Sequence, residues 1–329
     1  EKFATLYKRW AEGGAGLLIT GNVMVDKHAL GEPANVVIEA GQDDKNFEAW
    51  AQASVINKTH VWVQINHPGK QSPKFLSREP VAPSAIPLKA PLNKAFKTPR
   101  ALTENEIQDI ITRFTYVAKR AKHAGFTGVQ IHGAHGYLIS QFLSPLHNRR
   151  TDQWGGSLQN RMRFVLSIYE SIRKEVGSDY PIGIKLNSAD FQKGGFSQEE
   201  SMEVVQTLSE KGIDLIEISG GSYEAPAMRG AKSSTIEREA YFLDYCLEVR
   251  KRIKTPLMLT GGFRSLEGMN TALNAGACDI IGLARSLAIN PDFAKDLLLG
   301  KNTRSAVQKL TTGFKTLDKI LPLEISWYT

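Results

Sequence analysis

A chain of 329 residues, 42% apolar and 23% charged, holds enough hydrophobic material for one large core or two modest ones. That composition excludes disorder and collagen-like repetition, and no apolar run approaches the roughly 18 residues of a membrane helix. Forty-one basic against 34 acidic residues give a formal charge of +7, but Lys and Arg are scattered among carboxylates, which disfavours a nucleic-acid surface and suits a phosphate-bearing small molecule.

In chain order, residues 1–12 form an amphipathic helix pattern with Phe3, Leu6, Tyr7 and Trp10 on one face, and carry no secretory signal. A strand at 16–20 (GLLIT) and a helix at 43–57 lead to a strand at 60–66 (HVWVQIN). The Pro-rich excursion Pro68–Pro99 follows, too long for a routine connection and read as a lid or substrate loop. A capping box, Thr103 with Glu106, opens a helix over 103–124 before the strand at 128–132 (GVQIH). Then come a helix at 158–176, a strand at 182–186 (IGIKL), and a helix at 198–211 opened by Ser197 and Glu200. Strands at 215–219 (LIEIS), 257–260 (LMLT) and 280–283 (IIGL) alternate with helices at 236–253, 265–275 and 291–299.

Seven strands interleaved with eight helices predict an α/β fold, a (β/α)₈ TIM barrel with a lid-loop insertion whose first strand lies upstream of residue 1. A doubly wound sheet is the competitor, but no G-x-G-x-x-G follows an early strand. No linker divides the chain, so 1–329 reads as one domain with a core of 1–299. The extension 300–329 carries a helical pattern (Val307, Leu310, Phe314, Leu317, Ile320) suited to packing across the barrel or against another subunit of a homo-oligomer. Two cysteines, Cys246 and Cys278, cannot supply a disulfide framework or an iron–sulfur site, which points to a reducing compartment, the cytoplasm by default.

The densest polar cluster is His132, His135 and Tyr137 in HGAHGY, directly after a strand, where barrels build active sites. Two imidazoles on a turn can aim N–H groups at one oxygen while a phenol delivers a proton to an adjacent carbon. A metal pair and two structural histidines are the competing readings, and for the first neither HExxH nor a cysteine cluster supplies further ligands. Gln64 offers a carboxamide able to read a heterocycle's N–H and C=O edge, with a buried, self-satisfied glutamine as the equal alternative. Lys185 interrupts an apolar strand and needs an anion, an electron-rich ring, or a role as a Schiff-base lysine in a barrel lyase or aldolase acting on a phosphorylated substrate. Gly261, Gly262 and Phe263 after the 257–260 strand, with Ala284 and Arg285 after the 280–283 strand, form the phosphate candidates.

The run from His132 to Phe164, HGAHGYLISQFLSPLHNRRTDQWGGSLQNRMRF, closely resembles the old yellow enzyme family of FMN-dependent NAD(P)H:flavin oxidoreductases. VQINHPGKQ (63–71), VAPSA (81–85), PRALTENEI (99–107), SADF (188–191), TGGFR (260–264) and LARSLAINPDF (283–293) match in the family's order. The resemblance implies that NADH or NADPH reduces FMN and that an activated alkene, such as an α,β-unsaturated carbonyl, is then reduced in a ping-pong cycle. It implies His132 and His135 as binders of the substrate's carbonyl or nitro oxygen and Tyr137 as proton donor. Gln64 and Lys185 would contact the flavin ring, and Gly261, Gly262, Phe263, Ala284 and Arg285 its phosphate. Lys185 replaces the family's usual arginine, a point charge in place of a two-pronged donor, and Trp154 stands where tyrosine is usual.

Overall fold

Strands buried on both faces read as continuous apolar runs and need helical crossovers to run parallel, and the computed structural model realises that pattern. It describes residues 2–225, 239–307, 310, 312 and 313. Helix α1 (Lys2–Glu12) precedes β1 (Leu17–Met24), the short β2 (Val36–Val37), α2 (Lys45–Ser54) and β3 (His60–Asn66). Two-residue strands β4 (Val81–Ala82) and β5 (Arg100–Ala101) pair with each other across the excursion. Next come α3 (Glu104–His123), β6 (Gly128–Gly133), α4 (Leu138–Leu143), α5 (Leu158–Val176) and β7 (Ile182–Asn187). The chain continues with α6 (Gln198–Glu210), β8 (Leu215–Ser219), α7 (Leu243–Arg250), β9 (Leu257–Thr260) and α8 (Leu266–Asn274). It then forms β10 (Ile280–Gly282), α9 (Arg285–Ile289) and α10 (Phe293–Leu298).

The main sheet has the order β10-β9-β8-β7-β6-β3-β1-β2, parallel throughout. This is the curled sheet of the predicted (β/α)₈ TIM barrel, and all seven predicted strands are present. Among the described residues no strand joins β10 to β1, whose outer edge carries only β2 at Val23 and Met24. The helical layer spans that seam instead. The Arg9 guanidinium binds the Asp292 carboxylate, Trp10 Nε1 donates to the Leu287 carbonyl at 2.9 Å, and Lys295 N donates to the Gly13 carbonyl at 3.0 Å.

Both predicted capping boxes form, at Thr103–Glu106 and Ser197–Glu200. The expected 236–253 helix is observed as α7 alone, and its residues 236–238 lie outside the described ones. The expected 291–299 helix is α10, cut off from α9 at Asn290, whose extended backbone is what a residue preceding proline prefers. Residues 314–329, most of the predicted helical extension, lie outside the described residues. No helix among those described is long and apolar enough to cross a membrane.

Two apolar layers hold the barrel. The larger packs the outward side chains of the strands against the helices. The smaller is a plug inside the cylinder, built from Trp62, Leu215 and Met258 with Leu17, Ile19 and Ile280 around them. Trp62 fills that floor only because its neighbours carry no side chain. A Cβ at Gly128 would stand 2.5 Å from Trp62 Nε1, and one at Gly183 would stand 2.8 Å from Cζ3. Above the plug the interior turns polar, and there the site begins.

Candidate active site

Register carries five polar side chains into one layer. Gln64 on β3 lies beside Gln130 on β6, His132 on β6 beside Lys185 on β7, and Lys185 beside Glu217 on β8. They form a chain across the cylinder: Gln64 Nε2 donates to Gln130 Oε1 at 2.7 Å, and Gln130 Nε2 donates to Glu217 Oε2 at 2.7 Å. The Lys185 ammonium meets Glu217 Oε1 at 2.9 Å. The side chain of Glu217 is 4% exposed and that of Lys185 16%, so each charge is tolerable there only because the other is present.

Beside this shelf, β1 is bulged at Thr20–Gly21, held by Thr20 Oγ1 accepting from Gln64 N at 2.9 Å and Tyr7 Oη accepting from Gly21 N at 2.9 Å. The extra residue brings Asn22 opposite Gln64. Asn22 Oδ1 and both amide atoms of Asn66 are buried without hydrogen-bond partners. Buried amides of this kind normally find partners, so the shelf is shaped to receive a ring that brings its own donors and acceptors.

The end of β6 and the loop after it hold the imidazole pair. The ring centroids of His132 and His135 are 5.2 Å apart, and those of His132 and Tyr137 are 4.9 Å apart and nearly perpendicular. His135 sits at φ +61°, an uncommon backbone for a residue with a side chain, and is pinned there from two sides. Its N–H donates to Asn187 Oδ1 at 3.1 Å, and its carbonyl accepts from Gln71 Nε2 at 3.0 Å. Gln141 Nε2 donates to the next carbonyl, Gly136, at 2.7 Å.

Hydrogen bonding also sets the tautomer of His132. The Ala134 N–H donates to His132 Nδ1 at 3.3 Å, which leaves the proton of the neutral ring on Nε2. His135 Nε2 lies 2.8 Å from the Ser219 hydroxyl, and a hydroxyl donating there leaves Nδ1 as the N–H. Burial, reinforced for His132 by His135 and for both by Lys185, pushes His132 well below the ordinary histidine range and His135 down to about 3. Both rings are therefore neutral donors at physiological pH. Tyr137 is driven the other way, well above 10, chiefly by burial and then by the neighbouring Tyr223, so it holds its proton until something nearby demands it.

After β9 and β10, a cleft of about 130 Å³ is lined by Thr260–Arg264, Gly282–Ser286 and Val307. Thr260 Oγ1 and Arg264 Nε are buried in this segment without partners. Glu239 Oε2 fixes the turn by accepting from Arg264 N at 2.8 Å and Ser265 N at 2.9 Å. Gly262 must be glycine twice over: its φ is +87°, and a Cβ would stand 2.4 Å from the Tyr241 ring. The Phe263 side chain points into the outer core, so that residue offers the cleft its backbone.

Each predicted site residue thus falls in one of three places: His132, His135 and Tyr137 over the mouth, Gln64 and Lys185 on the shelf, and Gly261, Gly262, Phe263, Ala284 and Arg285 around the cleft. Gln130, Glu217, Asn22 and Tyr223 were not singled out in the sequence. The signal for Glu217 was present, since LIEIS and IGIKL each place one charge in an otherwise apolar strand. Among the described residues no group of three or more His, Cys, Asp or Glu is placed to hold a metal ion.

Unpartnered amides above an ammonium, and a glycine-rich cleft with an unpartnered guanidinium nitrogen, fit the ring and the phosphate of FMN. Barrel and site together define a flavin-dependent oxidoreductase. Comparison with known proteins bears this out, and the chain belongs to the NADH:flavin oxidoreductase / NADH oxidase family, which matches residues 1–303. The NADH-dependent flavin oxidoreductase iliE of Hypocrea jecorina is 37% identical over 332 residues, covering 93% of this chain and 82% of that one. Among solved structures, 2-naphthoyl-CoA reductase superposes with a TM-score of 0.84 at 28% identity, over 91% of this chain but only 46% of its own. The old yellow enzyme homologue of Zymomonas mobilis shares the fold, with a TM-score of 0.77 at 24% identity over 95% of this chain and 88% of that one.

The protein is an oxidoreductase that uses FMN and takes its electrons from NADH or NADPH. The lyase reading of Lys185 falls with this. Imine formation needs an amine free to attack, whereas Lys185 Nζ is engaged by Glu217 Oε1 at 2.9 Å.

Proposed function

We propose that this enzyme reduces the C=C bond of an α,β-unsaturated carbonyl compound or a comparably activated alkene. The observation that carries the reading is the convergence of two neutral imidazoles and one protonated phenol on one edge of the barrel mouth. His132 Nε2–H and His135 Nδ1–H bind the substrate oxygen, and preorganised donors of this kind are worth roughly 3 kcal/mol each on the charge that develops there. Tyr137 gives its proton to Cα of the polarised alkene, a contribution of about 10²–10⁴ in rate.

FMN, when bound, supplies the hydride. Gln64 and Lys185 would hold its ring, while Gly261, Gly262, Phe263, Ala284 and Arg285 would hold its phosphate. The protein's share is to fix the substrate oxygen, exclude water beneath the excursion and place one proton. Both cysteines are buried free thiols, which supports a reducing compartment, the cytoplasm by default.

The test is spectroscopic. The purified protein should be yellow, release FMN on denaturation, bleach anaerobically with NADH or NADPH and regain colour on addition of cyclohexenone. Bleached enzyme that ignores cyclohexenone and nitroalkenes, yet reoxidises in air, would overturn the alkene assignment.

A further inference from the structure

Tyr137 has a second phenol beside it. The Tyr223 hydroxyl lies 3.1 Å from that of Tyr137, with the ring centroids 6.0 Å apart. Tyr137 is deeply buried, whereas Tyr223 is half-buried and borders solvent. A buried phenol that surrenders its proton is left as a phenolate in a poorly solvating site, a charge that burial disfavours strongly.

The position of Tyr223 is unusually well determined. It sits in the turn Ser222–Ala225, where Ser222 N donates to the Ala225 carbonyl at 3.0 Å and Ser222 bridges to His135. The next residue, Glu224, is an anchor with a side chain 3% exposed. Its Oε1 accepts from Lys89 N of the excursion at 2.8 Å, while Oε2 lies 3.9 Å from Lys70 Nζ and 3.5 Å from His147 Nε2. Lys70 Nζ also contacts His147 Nδ1 at 2.9 Å and the Ile86 carbonyl at 3.3 Å. Phe96 of the excursion lies against the Tyr223 ring, with the centroids 6.2 Å apart. Buried ionic clusters add little net stability over well-packed apolar side chains, and what this one returns is positional precision. Here the precision falls on Tyr223.

We infer that Tyr223 is a positioning residue that completes a two-phenol proton relay, an inference that rests on the acid role proposed for Tyr137. As the Tyr137 O–H bond breaks and a C–H bond forms at Cα, the Tyr223 O–H proton passes to the Tyr137 oxygen. Water then returns a proton to Tyr223 and leaves hydroxide to the buffer. No electrons move in this step, and neither phenol ends it charged.

The experiment uses the FMN-loaded enzyme, with its two half-reactions followed separately by rapid mixing. Tyr223→Phe should slow reoxidation by cyclohexenone at least tenfold, with reduction by NAD(P)H within twofold of the parent. In mixtures of H₂O and D₂O the parent's reoxidation rate should curve with deuterium fraction, as two protons in flight require, and that of Tyr223→Phe should be linear. Adding Tyr223→Phe to Tyr137→Phe should slow reoxidation no further.

A Tyr223→Phe enzyme with parental rate and curvature overturns the relay, as does a full extra loss in the Tyr137→Phe background. A fall in both FMN content and Tm would assign Tyr223 to the fold and overturn it as well. If Tyr137→Phe alone leaves reoxidation unchanged, the acid assignment itself fails, a result distinct from failure of Tyr223.

Discussion

Glu217 is the most consequential residue of the barrel interior, because one carboxylate satisfies both Lys185 and Gln130. Replacing it by Ala leaves a buried ammonium with no counter-ion and the Gln130 amide with no acceptor. Breaking one side of a buried pair costs about 3–5 kcal/mol. At roughly 2.1 cal/mol/K of unfolding entropy per residue, 329 residues give about 0.7 kcal/mol/K, so the melting temperature should fall by about 4–7 °C. Differential scanning calorimetry on flavin-free protein reads this without interference from cofactor binding. Lys185→Met combined with Glu217→Met should recover the part of the loss that belongs to the orphaned charge, leaving the cost of the unpaired Gln130 amide. A Glu217→Ala protein melting within 1 °C of the parent, or a double variant no better than Glu217→Ala alone, would refute the reasoning.

Three further outcomes are expected. Tyr137→Phe should slow alkene reduction by about 10²–10⁴ with flavin reduction by NAD(P)H nearly unchanged, and equal slowing of both half-reactions would remove Tyr137 from the acid role. His67, held down to about 4, and His135 and His147, held down to about 3, are neutral when folded but take up protons near pH 6.5 when unfolded. The folded values lie below the unfolded one, so the stability these residues contribute is present above pH 6.5 and drains away as pH falls toward 3. At 1.36 kcal/mol per unit each loses about 2 kcal/mol by pH 5, and a melting temperature flat from pH 7.5 to 5 contradicts this. Gly128→Ala should destabilise by about 1–3 kcal/mol through its clash with Trp62, with relief in the Gly128→Ala/Trp62→Leu pair; additive losses measured by denaturant titration would rule out the contact.

Much of the barrel is legible in the sequence, because strands covered on both faces cannot hide their unbroken apolar character, and β6, β7 and β8 read plainly. Helix α4 escapes notice for the opposite reason. All six of its residues are buried, so Leu138–Leu143 shows no alternation of wet and dry faces from which a helical period could be taken. The bulge at Thr20–Gly21 and the break at Asn290 are single-residue events that periodicity averages away. In the site, HGAHGY and TGGFR stand out because small residues beside functional ones break the surrounding pattern. Glu217 does not, since one acid in a strand reads as a solvent-facing position until register sets it against Lys185. Tyr223 lies in a glycine-rich turn with no period at all, and only the close approach of two separate loops gives it meaning.

The backbone at His135 narrows the substitutions the second imidazole position can accept. A β-branched or bulky replacement inherits a left-handed twist it cannot relax, while glycine takes the twist at the expense of the donor. Asparagine is among the few side chains that tolerate such a conformation and still present an N–H. Exchange between histidine and asparagine at this position is therefore the cheapest route by which the enzyme can trade one reach and geometry of oxygen binding for another without rebuilding the loop.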